Sequence, residues 1–322
     1  MTMSVDYKIV TGVEAREVVK RMISVSRSGS EVCRAVDAFF QFIDEYHIDV
    51  SRQPVALVDG KIVGYGMVLV NPGAMAGILL PQQLPELWGV DELSYRQIMV
   101  GLVRWVAEQI EPWDLAILQA ILSSKDEDSF DSILCEGGFS HLCDLTIMES
   151  LAKINPSTMR NDDVEWVPFD ESLSPRFEEV ILQSYEASKD CPLLTGLRTG
   201  GEVLEGHRWS GIFLRKGWWL MRYRGRDAGV ILLNGSQEQA DRLELIYMGL
   251  TPQFRGLGLG RILLSRAFEA AESLNKNVIR LAVDRNNIYT KQLYEQMGFE
   301  QIDHQVVLAI LNEKRRHRLR GK

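Results

Sequence analysis

The sequence repeats one order of secondary-structure signals, and this repeat limits the folds open to the chain. In the first half, helical patterns precede a β-hairpin that turns at Asp59-Gly60, and then come a helix, a buried strand, a short helix and a last strand. The second half follows the same order. A hairpin glycine and a Gly-Phe turn lie roughly 70 residues apart in each half, at Gly64 and Gly138 and at Gly229 and Gly298. We therefore predict two copies of one α/β unit.

The bounds of these elements follow from hydrophobic periodicity and turn residues. Apolar residues at helical spacing predict helices over 13–26, 32–46, 93–110, 129–139, 173–188, 260–274 and 289–299. Runs rich in β-formers predict hairpins over 54–70 and 218–234, and strands over 114–122, 141–151, 242–250, 278–284 and 305–311. The segment 188–211 is rich in turn residues and is predicted to be a long loop.

The length of 322 residues and the hydrophobic content of 46% are enough for two hydrophobic cores. We predict a first domain over 1–153, a polar linker over 154–162 and a second domain over 163–312. The remaining residues, 313–322, are strongly basic and are predicted to form a solvated, disordered tail.

Charge and cysteine content narrow the functional class. A formal net charge of −8 argues against a nucleic-acid partner, because such proteins neutralise phosphates with an excess of positive charge. The four cysteines show no paired spacing, which predicts free thiols in a reducing compartment. No run of 18 apolar residues and no signal-like segment occurs, so the expectation is a cytoplasmic protein without a membrane partner.

The segment 255–261, Arg-Gly-Leu-Gly-Leu-Gly-Arg, lies between a predicted strand and a predicted helix. The first amides of a helix have no partner within it and stabilise an anion, and glycines let a diphosphate approach the backbone. Arg255 and Arg261 add permanent positive charge. The residues after Gly258 and Gly260 fit neither the P-loop nor the dinucleotide fingerprint, both of which require other residues there.

This segment closely resembles the acetyl-coenzyme A loop of the GNAT acyltransferase superfamily. The loop pattern is met by Leu250, Pro252, Arg255, Gly256, Gly258, Leu259, Gly260, Leu263 and Leu264. A second motif of the family is matched by Asn287, Leu293, Tyr294, Gly298 and Phe299, with Thr290 where alanine is usual. The resemblance covers about residues 165–312 well and residues 5–150 only in topology. The tandem arrangement is similar to that of the mycothiol synthase group.

The resemblance implies an α/β (α+β) fold of two tandem domains, each with a mixed, mostly antiparallel sheet flanked by helices. It also implies an enzyme, an N-acetyltransferase that moves an acetyl group from acetyl-CoA to a primary amine by direct attack in a ternary complex. The implied cofactor-binding residues are Met248, Leu250, Arg255, Gly256, Leu257, Gly258, Leu259, Gly260, Arg261 and Asn287. Tyr294 is implied as the general acid, and Glu244 is implied as the base that accepts the proton of the amine.

The acceptor site is predicted in the segment 188–211, with Asp190, Arg198 and His207 as substrate residues. His207 is also an alternative base. A small-molecule amine is the expected acceptor, a protein amine stays open, and a homodimer is possible. No metal site is predicted, because Cys135, His141 and Cys143 lack a fourth ligand.

The first copy has Asp91-Glu92 at the position of the glycine loop, and carboxylates there would repel a diphosphate. We therefore expect one cofactor site per chain, in the second domain. The alternative to an enzyme is a non-catalytic CoA-binding sensor or scaffold with the same fold.

Overall fold

The computed structural model describes residues 4–24, 30–81, 91–123, 127–152 and 161–320. The chain forms two compact units, one of Met1–His141 with Val307–Lys322 and one of Leu142–Val306. Most of the predicted linker, 154–162, lies outside the described residues. Within the described residues, no helix has both the length and the apolar character needed to cross a membrane.

The first unit contains two groups of strands. Its elements are β1 (Asp6–Thr11), α1 (Gly12–Ser24), α2 (Ser30–Glu45), β2 (Arg52–Val58), β3 (Lys61–Tyr65), β4 (Met67–Asn71), β5 (Met75–Leu79), α3 (Glu92–Glu108), β6 (Ile117–Ser123) and α4 (Glu127–Glu136). β1, β2 and β3 form an antiparallel sheet. β4 pairs antiparallel with β5, and β5 pairs parallel with β6.

Helices pack on both faces of the β1–β3 sheet because its apolar side chains alternate. Val55 lies in one core cluster with Ala15 and Val18 of α1. On the other face, the Tyr7 hydroxyl donates a hydrogen bond to the Ile98 carbonyl in α3. Successive residues of a strand point to opposite faces, so one short sheet supports a helix on each side.

The remaining elements of the chain are β7 (Ser140–Leu151), β8 (Val164–Pro168), α5 (Ser174–Ser184), α6 (Gly200–Arg208), β9 (Trp218–Tyr223), β10 (Arg226–Gly235), β11 (Arg242–Leu250), α7 (Leu259–Ser273), β12 (Val278–Asp284), α8 (Ile288–Gln296), β13 (Glu300–Leu311) and α9 (Glu313–Arg320). The second unit is built on one sheet in the order β7-β12-β11-β10-β9-β8. β11 and β12 are parallel, whereas β7–β12, β10–β11, β9–β10 and β8–β9 are antiparallel.

β10 is buried on both faces and separates two core clusters of the second unit. Ile231 and Leu233 pack with the apolar face of α7, while Val230 and Leu232 pack with α5 and α6. Side chains buried on both faces explain why β10 reads as a continuous apolar run. The predicted fold class is confirmed: the unit is a mixed, mostly antiparallel sheet flanked by helices.

The compact units divide the chain at positions different from the predicted domain boundaries. Residues 142–151 of β7 belong to the second unit, where β7 pairs with β12. Residues 307–322 belong to the first unit, where the Asn312 backbone N–H donates to the Ala116 carbonyl. A strand can pair with segments that are distant in sequence, so a single boundary along the chain does not describe which residues form each unit.

Two local predictions are wrong. The basic segment, predicted to be disordered, forms the helix α9, in which the buried Arg315 makes an ion pair of 2.7 Å with Asp114. The predicted loop 188–211 contains α6, whose N-terminus has a capping box between Thr199 and Glu202. The Thr-x-x-Glu pattern at 199–202 was the sequence signal for this helix. The sequence reasoning also missed β1, β5 and β8, and it merged β4 with the preceding hairpin.

Candidate active site

A gap opens in the second unit between β11 and β12. The two parallel strands pair from Arg242 with Val278 to Leu245 with Leu281, and the pairing ends there. At the same level a β-bulge interrupts the pairing of β11 with β10 and leaves Ile246 without an opposite residue. A bulge bends its strand, so β11 turns away from β12 after Leu245.

A cavity of about 340 Å³ lies at this gap, entirely within the second unit. Residues 245–250 of β11 and Ala282 and Val283 of β12 contribute to its wall. Four of the predicted site residues that line it are Met248, Leu250, Asn287 and Tyr294. Helix α8 begins after Asn287, and the side chain of Asn287 makes no capping hydrogen bond to the helix. The structure therefore brings both family motifs to one cavity.

The glycine loop has the backbone conformation of an anion cradle. Gly256 and Gly258 have φ values of 75° and 76°, in the left-handed region that side-chain-bearing residues rarely adopt. A Cβ on either glycine would meet no atom within 4 Å, so the space before the backbone is open. Gly258 is the N-cap of α7 and provides no side-chain cap. The helix N-terminus is thus left to stabilise an anion with its own amides.

The two arginines that flank the loop bond to protein groups. Arg255 donates through Nε to the Leu250 carbonyl at 3.1 Å, and through its two terminal nitrogens to the Glu186 and Ser184 carbonyls at 2.8 Å. Three of the five N–H groups of a guanidinium are used in this way. Arg261 donates to the side chain of Gln296. Arg255, which also lines the cavity, therefore ties the loop to the C-terminal end of α5.

Asp190 is the predicted substrate residue that reaches the cavity. Its carboxylate is open to the cavity but surrounded by protein, and the loss of hydration raises the pKa of Asp190. The backbone N–H of Asp284 donates to this carboxylate and opposes that shift, while the charge of Asp284 adds to it. A carboxylate in this position favours a cationic or hydrogen-bond-donating ligand.

Tyr294 is 5% exposed and contributes its ring to the core beside Phe299. Burial raises the pKa of Tyr294, and the nearby charge of Asp190 raises it further. The phenol therefore keeps its proton at neutral pH, as a general acid must.

Glu244 is not brought to the cavity. It lies on the part of β11 that still pairs with β12, and its carboxylate accepts a hydrogen bond of 2.8 Å from Nε of Arg242. The cavity wall on β11 begins at the next residue, Leu245. The geometry thus gives Glu244 a structural partner, and its role as base stays a prediction without support from its position.

The other two predicted substrate residues also lie outside the cavity wall. His207, on α6, stacks on the Tyr247 ring with centroids 5.0 Å apart. Burial, with a further contribution from Arg198, lowers the pKa of His207 to about 3, so its imidazole is neutral and a weak base. Burial also lowers the pKa of Arg198, and electrostatic interactions with Tyr185 and Glu202 oppose this shift.

Tyr247 lines the cavity and was missed by the sequence reasoning. Its hydroxyl lies 2.6 Å from that of Ser184, whose own proton is donated to the Ile181 carbonyl at 2.7 Å. Burial raises the pKa of Tyr247. Because the bulge at Ile246 changes the alternation of β11, periodicity did not reveal which face Tyr247 occupies.

Comparison with known proteins finds one family model that matches part of the second unit. Residues 183–299 match the model of the acetyltransferase (GNAT) family. This range includes the glycine loop, the gap strands β11 and β12 and the whole second motif, from Asn287 to Phe299. A comparison with curated protein sequences finds no match for the chain.

Solved structures resemble nearly the whole chain. A GCN5-related N-acetyltransferase from Sphaerobacter thermophilus is 16% identical, with a TM-score of 0.58 and 95% of each chain covered. A tandem GNAT protein from the clavulanic acid biosynthesis pathway is 11% identical, with a TM-score of 0.53, covering 96% of this chain and 98% of that one. A GCN5-related glucosamine N-acetyltransferase region of a fungal multi-domain protein is 12% identical, with a TM-score of 0.62, and 38% of that chain is covered. At these identities the likeness establishes the shared fold.

Proposed function

We propose that the chain transfers an acetyl group from acetyl-CoA to a primary amine within a ternary complex, because residues 183–299 match the acetyltransferase (GNAT) family model and the chain shares its fold with a tandem GNAT protein. The observation that carries the proposal is the cavity at the β11–β12 gap, lined by Met248, Leu250, Asn287 and Tyr294. Acetyl-CoA supplies the acetyl group as an activated thioester.

The residues present fit this co-substrate. The backbone at Gly256 and Gly258 and the free N-terminus of α7 would hold a diphosphate, with open space before both glycines. β11 beyond Leu245 does not pair with β12, so its backbone is available to an extended arm such as pantetheine. Asn287 adds a side-chain amide at the same wall.

The acceptor amine is assigned to the part of the cavity beside Asp190. A primary amine carries a positive charge at neutral pH, and the carboxylate of Asp190 attracts it and offers a position for its proton. A cavity of about 340 Å³ that must also contain the end of the pantetheine arm suits a small amine. We therefore favour a small-molecule acceptor.

Tyr294 completes the proposed chemistry. Its phenol is protonated at neutral pH and lies in the wall near Asp190. It would give a proton to the departing thiolate as the amide bond forms, while backbone N–H groups of β11 stabilise the developing oxyanion.

The test is release of free CoA from acetyl-CoA in the presence of a panel of primary amines. Turnover with at least one small amine, and a fall of about 100-fold in kcat for Tyr294→Phe with unchanged CoA affinity, are expected. Tyr289→Phe is the matched control, because Tyr289 lies on α8, lines the same cavity and is 80% exposed. Tight CoA binding without turnover on any amine would instead identify a non-catalytic CoA-binding protein.

A further inference from the structure

Two thiols and a carboxylate meet beside the cavity in the second unit. Sγ of Cys143, on β7, lies 3.0 Å from Sγ of Cys191. A carboxylate oxygen of Asp284, the last residue of β12, joins them, and the three ligand atoms lie within 4.8 Å of one another. The residues are far apart in sequence, so their spacing gave no sign of the cluster.

Asp284 is a buried acid whose carboxylate lies close to both thiols. It is 2% exposed, and its carboxylate accepts hydrogen bonds from the backbone N–H groups of Cys191, at 3.1 Å, and Asn286, at 2.9 Å. Within the described part of the chain it forms no ion pair with a lysine, arginine or histidine. Buried charges in proteins are normally paired with an opposite charge or coordinate a metal.

We propose that Cys143, Cys191 and Asp284 form a binding site for a divalent cation that prefers thiolate ligands, of which Zn²⁺ is the representative. Sulfur ligands select such ions over Mg²⁺ and Ca²⁺, which prefer oxygen. Three protein ligands leave a fourth tetrahedral position for water.

The geometry needs only a small adjustment. Two sulfurs on a tetrahedral Zn²⁺, with Zn–S bonds of about 2.3 Å, lie about 3.8 Å apart, so they must separate by less than about 1 Å. Cys191 lies in a turn, before the short 3-10 helix Pro192–Leu194, which allows such a shift. Its φ of 40° is unusual for a residue with a side chain. Binding replaces two S–H bonds by two metal–thiolate bonds and releases two protons.

The site would fix a segment that shapes the cavity. Cys191 follows directly after residues 187–190, which line the cavity at Asp190. A cation shared by β7, β12 and this segment would hold the proposed amine-binding carboxylate in place. The cation site itself rests on the cluster and is independent of the proposed acetyl transfer.

The experiment uses the full-length chain, stripped of metal and kept reduced, and titrates it with Co²⁺ and Zn²⁺. Uptake of one equivalent, a thiolate-to-cobalt charge-transfer band and an increase in melting temperature with Zn²⁺ are expected. Cys143→Ser and Cys191→Ser should each weaken binding by about 100-fold or more. The double variant Cys33→Ser/Cys135→Ser is the matched control and should bind as the natural chain does, because both of these cysteines are exposed and outside the cluster.

Circular dichroism shows whether each variant has folded, and so separates a folding defect from loss of a metal ligand. If Cys143→Ser does not fold, Cys191→Ser alone tests the site, because Cys191 is only half-buried. No uptake by the reduced natural chain would overturn the site. So would uptake that survives both Cys143→Ser and Cys191→Ser, or a Cys143–Cys191 disulfide that forms in air while the reduced thiols bind no metal. Because metal uptake is measured without substrates, its failure is distinguishable from a failure of acetyl transfer.

Discussion

The carboxylate of Asp190 accepts a hydrogen bond of 2.9 Å from the backbone N–H of Asp284. This contact joins a turn residue, Asp190, to the end of β12 and leaves the second carboxylate oxygen for another partner. In the proposed reaction that partner is the acceptor amine. Glu244, the base expected from the sequence, is instead held by Arg242.

Substitution of Asp190 therefore distinguishes the two acids. Asp190→Asn keeps a hydrogen-bond acceptor but removes the charge, and we expect kcat/KM for the amine to fall by about 100-fold with CoA affinity retained. Glu244→Gln should change kcat/KM by less than about twofold. Initial rates at varied amine concentration measure both effects.

The pH profile gives a second readout of the same substitution. Loss of hydration at the cavity raises the pKa of Asp190 above its usual value, so activity should decline with falling pH at a higher pH than an ordinary aspartate would cause. This acid limb should be absent in Asp190→Asn. An unchanged limb, or a larger loss in Glu244→Gln than in Asp190→Asn, contradicts the assignment of Asp190.

Gly258→Ala should weaken CoA binding. A side chain at a φ of 76° costs about 1–2 kcal/mol, and relaxation of the backbone would turn the loop amides away from the diphosphate. We expect the dissociation constant for CoA, measured by calorimetry, to rise about tenfold or more.

Gly225→Ala is the matched control for backbone strain. Gly225 has a φ of 75° in the β9–β10 hairpin, and a Cβ there also meets no atom within 4 Å. The two variants should lose similar stability, and only Gly258→Ala should lose CoA affinity. Equal CoA affinity in both variants would remove the loop from the binding site.

The sequence predicted the repeated α/β order and most elements because strong periodicity and turn residues mark them. Asp59-Gly60, for example, has the positive φ values that its hairpin turn requires. The two family motifs were likewise sufficient to predict that Asn287 and Tyr294 meet Met248 and Leu250. Local sequence determines the turns and elements, whereas the meeting of these four residues was implied by the family resemblance and not by local sequence.

Other features depend on contacts between distant segments. The residues near each position did not indicate that β7 belongs to the second unit, that Cys143 and Cys191 meet, or that Arg255 bonds to three carbonyls. The pairing of Glu244 with Arg242 is local, but its consequence depends on where β11 leaves β12. The sequence showed which of these residues are charged, but it did not show which groups they contact.

Arg255→Ala should lower the stability of the second unit. The change leaves the carbonyls of Leu250, Glu186 and Ser184 without their charged donor, and such hydrogen bonds contribute about 1.5–3 kcal/mol. Because Arg255 is partly exposed, we expect the free energy of unfolding to fall by about 2 kcal/mol, measured as a lower urea midpoint. Arg261→Ala is the control, since Arg261 donates to the single side chain of Gln296.

A loss of CoA affinity in Arg255→Ala without any loss of stability would show that the guanidinium serves the cofactor directly. The contacts of Arg255 lead us to expect the opposite pattern. The variant should be less stable, and its CoA affinity should be recovered at low temperature. Arg261→Ala should leave the urea midpoint within experimental error of the natural chain.

His207 should make the protein sensitive to acid. Burial holds the pKa of His207 at about 3 in the folded chain, against 6.5 when unfolded. Above pH 6.5 the imidazole is neutral in both states, and between pH 6.5 and 3 only the unfolded state binds the proton. The free energy of unfolding therefore falls as pH falls, by up to about 2 kcal/mol between pH 6.5 and 5.

His207→Phe keeps a flat ring against Tyr247 and removes the titrating group. The urea midpoint of this variant should fall less than that of the natural chain between pH 7 and pH 5, while the two are similar at pH 7. His304→Gln, at an exposed position of the same unit, should retain the full acid sensitivity. If His207→Phe loses as much stability at pH 5 as the natural chain, a group other than this buried imidazole causes the acid sensitivity.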